Sequence, residues 1–452
     1  MLLQNIRKES DVSGISMNKG IIHMNIKKIG VISLGCAKNR VDCEVMMNRL
    51  QQAGYEFCGE IEDCDAAVIN TCAFIGPAKQ EAIENILNTA EYKKKNLKKL
   101  IVTGCLAQRY SNEIIKEIPE VDAVLGVKSF DKICRALESE TPFSLIEPLS
   151  FPSPEGERVL TTENYSVYLK IAEGCSNRCS YCVIPSIRGD FMPRDCGSVL
   201  KEAQTLAQNG AKEINVIAQD ITRHPQLLEI IKGICKIDSV EWVRLLYLYP
   251  DEITDELIDL IAREEKIVHY IDIPLQHASN PVLKKMNRRG TGADYSRLIK
   301  KLRKKIPDMS LRTTFITGFP QESKKDFETL YDFVGKIRFD NMGVFTYSQE
   351  EGTKAAGFVG QLAESTKKKR AEALMELQYG ILNDLNEKHL GKTYKVLCEG
   401  LENGFYTGRA YFQAPEVDGK VFFTSDKECR EGTFYSVRLE SYDSYDFYGK
   451  IL

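Results

Sequence analysis

The stretch Cys175-Ser-Asn-Arg-Cys-Ser-Tyr-Cys182 places three cysteines at C-x3-C-x2-C spacing. It follows directly after an apolar run, Val167–Ile171, that is typical of a buried strand. Thiolates are the usual ligands of iron–sulfur clusters, which normally take four of them. Three closely spaced thiolates can therefore hold three irons of a 4Fe–4S cluster and leave the fourth open. S-adenosylmethionine carries an amine and a carboxylate that could chelate such an open iron.

A zinc site is the alternative for these thiols. Zinc takes four ligands, commonly in C-x2-4-C pairs, and Cys196 alone lies near enough in sequence to complete a set. The spacing therefore favours a cluster on Cys175, Cys179 and Cys182, which are the predicted catalytic residues. Tyr181 lies in the last gap, where we predict that its ring contacts the adenine of the cofactor. It could equally be part of the apolar core.

Length and composition predict a globular protein of several domains. The chain has 452 residues, of which 43% are hydrophobic and 28% charged, and its formal net charge is -3. This charge produces no global positive field to attract nucleic acid. Because no signal peptide or membrane-length apolar run is visible, we predict a cytoplasmic protein with reduced cysteines rather than disulfides. Residues 1–25 are polar and aperiodic, which predicts a disordered leader.

Three apolar runs within residues 26–140 each end at a cysteine. They are Ile29–Gly35 before Cys36, Ala66–Thr71 before Cys72, and Leu100–Gly104 before Cys105. Helical patterns fill the gaps, so we predict an amino-terminal domain of βαβ units around a parallel sheet. Ligands bind beyond the carboxyl ends of parallel strands, so the three cysteines are expected to converge as a second metal-binding set. The alternative is that each is a small buried residue.

The centre of the chain alternates strand-like and helical patterns. Residues 141–164 are rich in proline and glycine and predict a linker, and residues 165–388 form the central domain. Six apolar runs there predict strands, namely Tyr168–Ile171, Ile214–Ala218, Trp242–Leu248, Tyr270–Ile273, Leu311–Ile316 and Met342–Tyr347. Six β–α repeats predict an incomplete (β/α)6 barrel, because a closed barrel needs eight.

Polar residues collect where these strands end, which is the active-site edge of β/α barrels. The candidate cofactor-binding residues on this edge, beside Tyr181, are Gln219, Gln276, His277, Thr317 and Gly318. A structural hydrogen-bonding role for His277 is an equal alternative. The basic loop Asn287–Gly290 could hold a carboxylate or phosphate, or could be a solvated turn.

Residues 389–452 change to short strands separated by turn residues, which predicts a small antiparallel β-barrel and an α/β protein overall. This segment has eight lysines and arginines against ten aspartates and glutamates. Such a charge is unfavourable for binding a phosphate backbone but suits a basic protein. We therefore predict that the turn containing Glu416 and Asp418 faces a basic protein partner.

These motifs resemble the radical S-adenosylmethionine methylthiotransferases, and the resemblance extends over nearly the whole chain from residue 26. The cysteine triads match the amino-terminal and radical domains of that family, and the terminal segment resembles its TRAM domain. Five further stretches resemble the branch that modifies a ribosomal protein: Ile184–Gly189, Arg244–Pro250, Asp272–His277, Met286–Gly290 and Gln413–Gly419. The sequence departs from the pattern of this family in two places. The loop after His224 is shortened, and Gln321 occupies a position that is usually glycine.

The resemblance implies two 4Fe–4S clusters, with S-adenosylmethionine as the cofactor. It implies insertion of SCH3 at the β-carbon of an aspartate in the twelfth small-subunit ribosomal protein. Radical chemistry is needed because this C–H bond is not acidic enough for a side-chain base. An electron donor such as flavodoxin or ferredoxin and a sulfur source are the other implied partners.

Two other functions are alternatives for this chain. A tRNA adenosine methylthiotransferase would carry the same two clusters, but the acidic terminal segment disfavours tRNA as a partner. The other is an iron–sulfur or zinc scaffold that binds ribosomes without turnover.

Overall fold

The computed structural model describes residues 26–452, so the predicted leader lies outside the described residues. The chain divides into two compact units. The first contains residues 26–161, 173–176 and 183–192 of the described chain, and the second contains residues 162–172, 177–182 and 193–452.

The first unit is built on a six-stranded parallel sheet. Its strands are β1 (Lys28–Ser33), β2 (Glu56–Phe57), β3 (Ala66–Thr71), β4 (Lys99–Gly104), β5 (Ala123–Leu125) and β6 (Phe143–Leu145). The helices between them are α1 (Ala37–Gln52), α2 (Gly76–Ala90), α3 (Cys105–Glu117) and α4 (Ile133–Glu138). The strand order is β2-β1-β3-β4-β5-β6, with every pair parallel. The predicted parallel βαβ architecture is confirmed, although the short strands β2, β5 and β6 were not predicted.

Both faces of this sheet are covered. Val68 of β3 packs in one apolar cluster with Met46 of α1, and Ile69 packs in the other with Ile86 of α2. Every residue of β3 and of β4 is consequently buried. This double burial explains why these strands appear in the sequence as unbroken apolar runs rather than alternating ones.

The predicted linker 141–164 is partly fixed to the first unit. Strand β6 pairs with β5, and the buried Arg158 forms an ion pair with Glu44 of α1 at 3.0 Å. The proline and glycine content predicted a linker here, but composition could not show these long-range contacts.

One pair of cysteines departs from the prediction of reduced thiols. Cys58 and Cys64 form a disulfide, with their Cα atoms 6.2 Å apart. The short helical turn Ile61–Asp63 lies between them and folds the chain back on itself. The remaining twelve cysteines form no disulfide within residues 26–452.

The elements that follow are numbered in chain order. The strands are β7 (Ser166–Lys170), β8 (Ala172–Glu173), β9 (Met192–Pro193), β10 (Glu213–Ile217), β11 (Trp242–Leu245), β12 (Ile267–Asp272), β13 (Ser310–Thr317) and β14 (Asn341–Thr346). The helices are α5 (Ile184–Arg188, in the first unit), α6 (Cys196–Gln208), α7 (Leu227–Cys235), α8 (Asp255–Arg263), α9 (Asn280–Lys285), α10 (Gly292–Lys305), α11 (Lys324–Ile337) and α12 (Glu364–Asn386).

The second unit contains the predicted incomplete barrel. Its six parallel strands lie in the order β14-β13-β12-β11-β10-β7, and the sheet is open between its first and last members. Helices such as α11 begin with a capping box, in which Ser323 and Asp326 satisfy each other's backbone N–H groups.

A closed five-stranded barrel completes the second unit. Its strands are β15 (Thr393–Glu402), β16 (Phe405–Ala410), β17 (Val421–Thr424), β18 (Phe434–Asp443) and β19 (Asp446–Ile451). Their order is β15-β16-β17-β19-β18, and all pairs are antiparallel except β17 with β19, which is parallel. The predicted small barrel is confirmed, but β19 and the parallel pair were not predicted.

Buried ion pairs attach this terminal barrel to the amino-terminal ends of the central strands. Arg409 of β16 contacts Glu213, the first residue of β10, at 2.6 Å. Glu213 also accepts a hydrogen bond from Arg244 Nε at 2.9 Å, and all three side chains are at most 3% exposed. The terminal barrel therefore packs at the edge of the central sheet opposite to its carboxyl ends.

The turn containing Glu416 and Asp418 belongs to the same interface. Asp418 forms an ion pair with Arg312 of β13 at 2.5 Å and accepts a hydrogen bond from the Tyr270 hydroxyl at 2.7 Å. Its side chain is only 1% exposed. The prediction that Asp418 faces a protein partner is therefore wrong, because its buried carboxylate is already paired with Arg312 of the same chain.

Candidate functional site

The first candidate site lies at the carboxyl edge of the six-stranded sheet in the first unit. Cys36 immediately precedes α1, Cys72 immediately follows β3, and Cys105 is the first residue of α3. Strands β1 and β4 flank β3 on either side in parallel. The structure thus brings the three cysteines to the ends of adjacent strands, as their spacing predicted.

Two glycines permit close packing at this edge. Gly35 has a φ of +93°, and a Cβ there would lie 2.8 Å from the Cβ of Cys72. Gly104 has a φ of +91°, and a Cβ there would lie 2.6 Å from the carbonyl oxygen of Thr71. Both conformations favour glycine, so the residue preceding Cys36 and the one preceding Cys105 are constrained by the geometry of the cysteine edge.

Positive charge and backbone N–H groups act on Cys36. Desolvation by the surrounding protein raises the pKa of its thiol, but Lys38, Arg188 and the N–H groups of Asn39 and Lys38 together lower that pKa below its ordinary value. The protein around the thiol nonetheless leaves part of the Cys36 surface exposed to solvent. Its position at the start of α1 contributes because helix amino termini stabilise anions, including thiolates.

The other two thiols have raised pKa values. Burial raises the pKa of Cys72 to about 12, with a further contribution from the neighbouring Cys105. Burial also raises the pKa of Cys105, against the opposing effect of Arg188. Three thiolates at one edge repel one another unless a cationic centre binds them. This donor set fits a metal cluster held by three protein thiolates.

Arg188 of α5 reaches this cysteine set within the first unit. Its guanidinium donates to Cys105 Sγ at 3.5 Å, to Asn39 Oδ1 at 2.9 Å and to Glu173 Oε2 at 3.2 Å. It also forms an ion pair with Asp42 at 2.5 Å. Arg188 lies in the stretch Ile184–Gly189, but its role could not be predicted from the sequence, because nothing local shows that its charge is buried.

The second candidate site is the loop that carries Cys175, Cys179 and Cys182, all three of which are half-buried. The Cys175 N–H donates to the carbonyl of Gly189 at 3.0 Å, and the Cys182 N–H donates to the carbonyl of Cys179 at 3.1 Å. The N–H of Ser180, which lies between Cys179 and Cys182, donates to the carbonyl of Met286 at 2.9 Å. These bonds fix the loop that presents the thiols.

Asn177 ties this loop to the carboxyl ends of two central strands. Its side chain donates to Asp220 at 2.7 Å, after β10, and accepts from Arg223 at 3.0 Å. It also accepts a hydrogen bond from Arg289 at 3.2 Å. The loop after His224 is short, as the sequence predicted, because α7 begins at Leu227.

A buried aromatic and cationic cluster lies beside Cys179. Burial, and then the nearby Cys179, hold the pKa of Tyr181 well above its ordinary value, against the effect of Arg288. Arg288 is 9% exposed, and its guanidinium lies 4.1 Å from the centre of the Tyr249 ring. The solvated-turn interpretation of Asn287–Gly290 is thus wrong for Arg288, although Arg289 is half-exposed and pairs with Asp251.

The candidate cofactor-binding residues occupy different environments. His277 and Thr317 are fully buried, and the hydroxyl of Thr317 donates to the carbonyl of Lys367 in α12. The Gly318 N–H donates to Glu322 at 2.7 Å. Gln219 and Gln276 are half-buried after β10 and β12. The structure therefore places the two glutamines, rather than His277 or Thr317, where solvent has access.

Two other predicted features can be placed. Gln321, at the position that is usually glycine in the resembling family, has a φ of +61°, a conformation that favours glycine. Cys196, the candidate fourth zinc ligand, is the first residue of α6. Across residues 26–452, no group of three or more His, Cys, Asp or Glu side chains is arranged to hold a single metal ion.

Three family models match successive parts of the chain. "Uncharacterized protein family UPF0004" matches residues 28–126, "Radical SAM superfamily" matches residues 169–334, and "TRAM domain" matches residues 390–452. The central match identifies the class as a radical S-adenosylmethionine enzyme. Membership of this superfamily implies a 4Fe–4S cluster and S-adenosylmethionine as cofactors.

Curated relatives match over almost their full length. Ribosomal protein uS12 methylthiotransferase RimO of Acetivibrio thermocellus is 46% identical over 94% of this chain and 98% of its own length. The protein of the same name from Thermoanaerobacter sp. is 45% identical over 94% of this chain and 100% of its own length. The chain belongs to the RimO family of radical S-adenosylmethionine methylthiotransferases.

A solved structure supports the fold. The radical S-adenosylmethionine methyltransferase TsrM from Kitasatospora setae aligns with a TM-score of 0.51 at 13% identity, covering 71% of this chain and 72% of TsrM. In addition, none of the helices in residues 26–452 has the length and apolar character needed to cross a membrane.

Proposed function

We propose that this chain inserts SCH3 at the β-carbon of an aspartate in ribosomal protein uS12, in the cytoplasm. The observation that carries this proposal is the match to uS12 methylthiotransferases over 94% of the chain. The family models matched at residues 28–126 and 169–334 span the two cysteine triads. Each triad lies at or just beyond the carboxyl end of parallel strands, where α/β proteins bind their ligands.

Each triad is assigned one 4Fe–4S cluster. Cys175, Cys179 and Cys182 would hold the cluster that binds S-adenosylmethionine, and Cys36, Cys72 and Cys105 would hold the other. When bound, the two clusters and S-adenosylmethionine supply the radical and sulfur chemistry that an unactivated C–H bond requires. The protein contributes the loop contacts of Ser180 and Asn177, which fix the positions of the thiols.

Cofactor contacts are assigned to the side chains that border the cysteine loop. Tyr181, Gln219 and Gln276 are proposed to contact S-adenosylmethionine, together with Tyr249, which the sequence had not singled out as a cofactor contact. The Tyr249 hydroxyl is buried, and it has no hydrogen-bond partner within the described part of the chain. Because an unpartnered buried hydroxyl is costly, a polar group of the cofactor is a suitable partner for it.

A supporting role is proposed for the fully buried members of the predicted set. His277 Nδ1 accepts a hydrogen bond from the Ser279 N–H at 2.9 Å. Thr317 and Gly318 are bonded to Lys367 and Glu322. These residues would fix the backbone at the carboxyl ends of β12 and β13.

Ribosomal protein uS12 is preferred over tRNA as the partner. The terminal barrel has more acidic than basic residues, and phosphate backbones bind mainly through lysine and arginine. Three of its cations, Lys395, Arg409 and Lys420, already form ion pairs within the chain. An electron donor such as flavodoxin or ferredoxin, and a sulfur source, complete the proposed partners.

The substrate is tested by mass spectrometry of uS12 from cells that lack this gene. We expect the target aspartate to lack the mass of one SCH2 unit, because the enzyme proposed to add it is absent from these cells. A plasmid copy of the gene should restore the increment, and a Cys72→Ala copy should not. Unmodified tRNA adenosine together with normal uS12 would overturn the proposal in favour of the tRNA enzyme.

A further inference from the structure

Arg188 is a buried cation at the edge where Cys36, Cys72 and Cys105 converge. Its side chain is 2% exposed, and its guanidinium contacts Cys105 Sγ at 3.5 Å. Burying a guanidinium is unfavourable unless it is paired and hydrogen-bonded. Here the compensation comes from Asp42 and Glu173, whose side chains are 6% and 4% exposed.

The contact with sulfur is not required to satisfy the charge of Arg188. Two carboxylates and Asn39 already accept from its nitrogens, yet the planar fork also reaches Cys105. A lysine has no such fork and could not span these acceptors together. Within the first unit, Arg188 therefore brings a hydrogen-bond donor and a positive charge to the thiol of Cys105.

Arg188 also stands next to the segment that begins the other triad. The carbonyl of Gly189 accepts the N–H of Cys175 at 3.0 Å. Glu173, which pairs with Arg188, lies two residues before Cys175. The end of α5 is therefore attached both to Cys105 and to the start of the C-x3-C-x2-C stretch.

We propose that Arg188 is a positioning residue for the cluster on Cys36, Cys72 and Cys105, and that its hydrogen bond and charge raise the reduction potential of that cluster. Hydrogen bonds to cluster sulfurs and nearby charge are established determinants of such potentials. A positive group beside a ligand thiolate favours the more negative, reduced cluster. The inference rests on the proposed function, because it assumes that this triad holds a cluster.

The test measures the midpoint potential of this cluster alone. The protein carries Cys175→Ala, Cys179→Ala and Cys182→Ala, is loaded anaerobically with iron and sulfide, and is titrated with detection by electron paramagnetic resonance. Adding Arg188→Gln should lower the one-electron reduction constant about tenfold, which is a shift of about 59 mV to lower potential. Arg188→Lys should give a smaller shift in the same direction.

Asp42→Asn provides a result of opposite sign. This substitution removes a negative charge that Arg188 faces, so the reduction potential of the cluster should rise. A purely structural role for Arg188 does not predict that Arg188→Gln and Asp42→Asn shift the potential in opposite directions. If Arg188→Gln does not fold, the Arg188→Lys shift decides the question, because lysine keeps the charge but loses the fork that reaches Cys105. The matched control is Arg158→Gln, which breaks another buried ion pair of the same unit, with Glu44, and should leave the potential unchanged.

Different results would overturn the role of Arg188 and the assignment of a cluster to this triad. Unchanged potentials in both Arg188→Gln and Asp42→Asn, with the cluster present, would overturn the inference and leave the proposed function intact. A protein with Arg188 intact that takes up no cluster on the remaining triad would overturn the second-cluster assignment itself, and the inference with it.

Discussion

Replacing Cys179 with alanine should abolish the reductive cleavage of S-adenosylmethionine while the protein keeps about half of its iron, because each of the two proposed clusters would be held by its own thiolates. Replacing Cys72 with alanine should give the reverse result, with cleavage retained and methylthiolation lost. Iron and sulfide content is measured after anaerobic reconstitution, and the cleavage product is followed by chromatography.

A buried cysteine outside both triads provides the matched control. Cys398 is free and fully buried in the terminal barrel, so Cys398→Ala should retain the full iron content and both activities. If either triad substitution emptied both sites, the assignment of two independent triads would be wrong.

Replacing Glu213 with glutamine should lower the free energy of unfolding of the second unit by about 3–5 kcal/mol, because it leaves the buried Arg244 without its paired carboxylate and removes one of the two carboxylates paired with the buried Arg409. Glu213 is bonded to Arg244, Arg409 and Ser166, and its side chain is fully buried. Trp242, the single tryptophan, packs edge-on against Phe434 of the terminal barrel at 4.7 Å. Its fluorescence during urea unfolding therefore reports on this interface.

An exposed pair across the same interface is the control. Lys395 and Glu241 lie 2.7 Å apart but are about half and about one-third exposed, so Glu241→Gln should cost no more than about 1 kcal/mol. A loss of similar size in Glu213→Gln would show that the buried network does not hold the terminal barrel in place.

The pH dependence of the same transition follows from the pKa of Glu213. Burial raises that pKa, but Arg409 and Arg244 lower it overall to about 2, from an ordinary value of 4.5. A carboxyl with a lowered pKa stabilises the folded state above its unfolded pKa, and this stabilisation is lost as the pH falls from about 4.5 through 2. Glu213→Gln should lack this part of the acid dependence.

The sequence alone was sufficient where a local pattern carries the structure. Buried parallel strands such as β3 appear as continuous apolar runs, and helices such as α11 begin at a capping box and follow a 3.6-residue period. The cysteines could be identified as candidate ligands because each triad is either close in sequence or at the same position after successive strands. The six-repeat open barrel and the small terminal barrel were predicted on the same basis and are confirmed.

The tertiary structure alone decided which charged residues are buried and what they contact. Arg188 reaches Cys105 across 83 residues, Arg409 reaches Glu213 across 196, and Asp418 reaches Arg312 across 106. No local pattern distinguishes these residues from solvated surface charges, so Asp418 was misassigned and Arg188 was overlooked. The physical reason is that an ion pair is defined by distance in space and by the loss of water around it, and neither is encoded in the neighbouring residues of either partner.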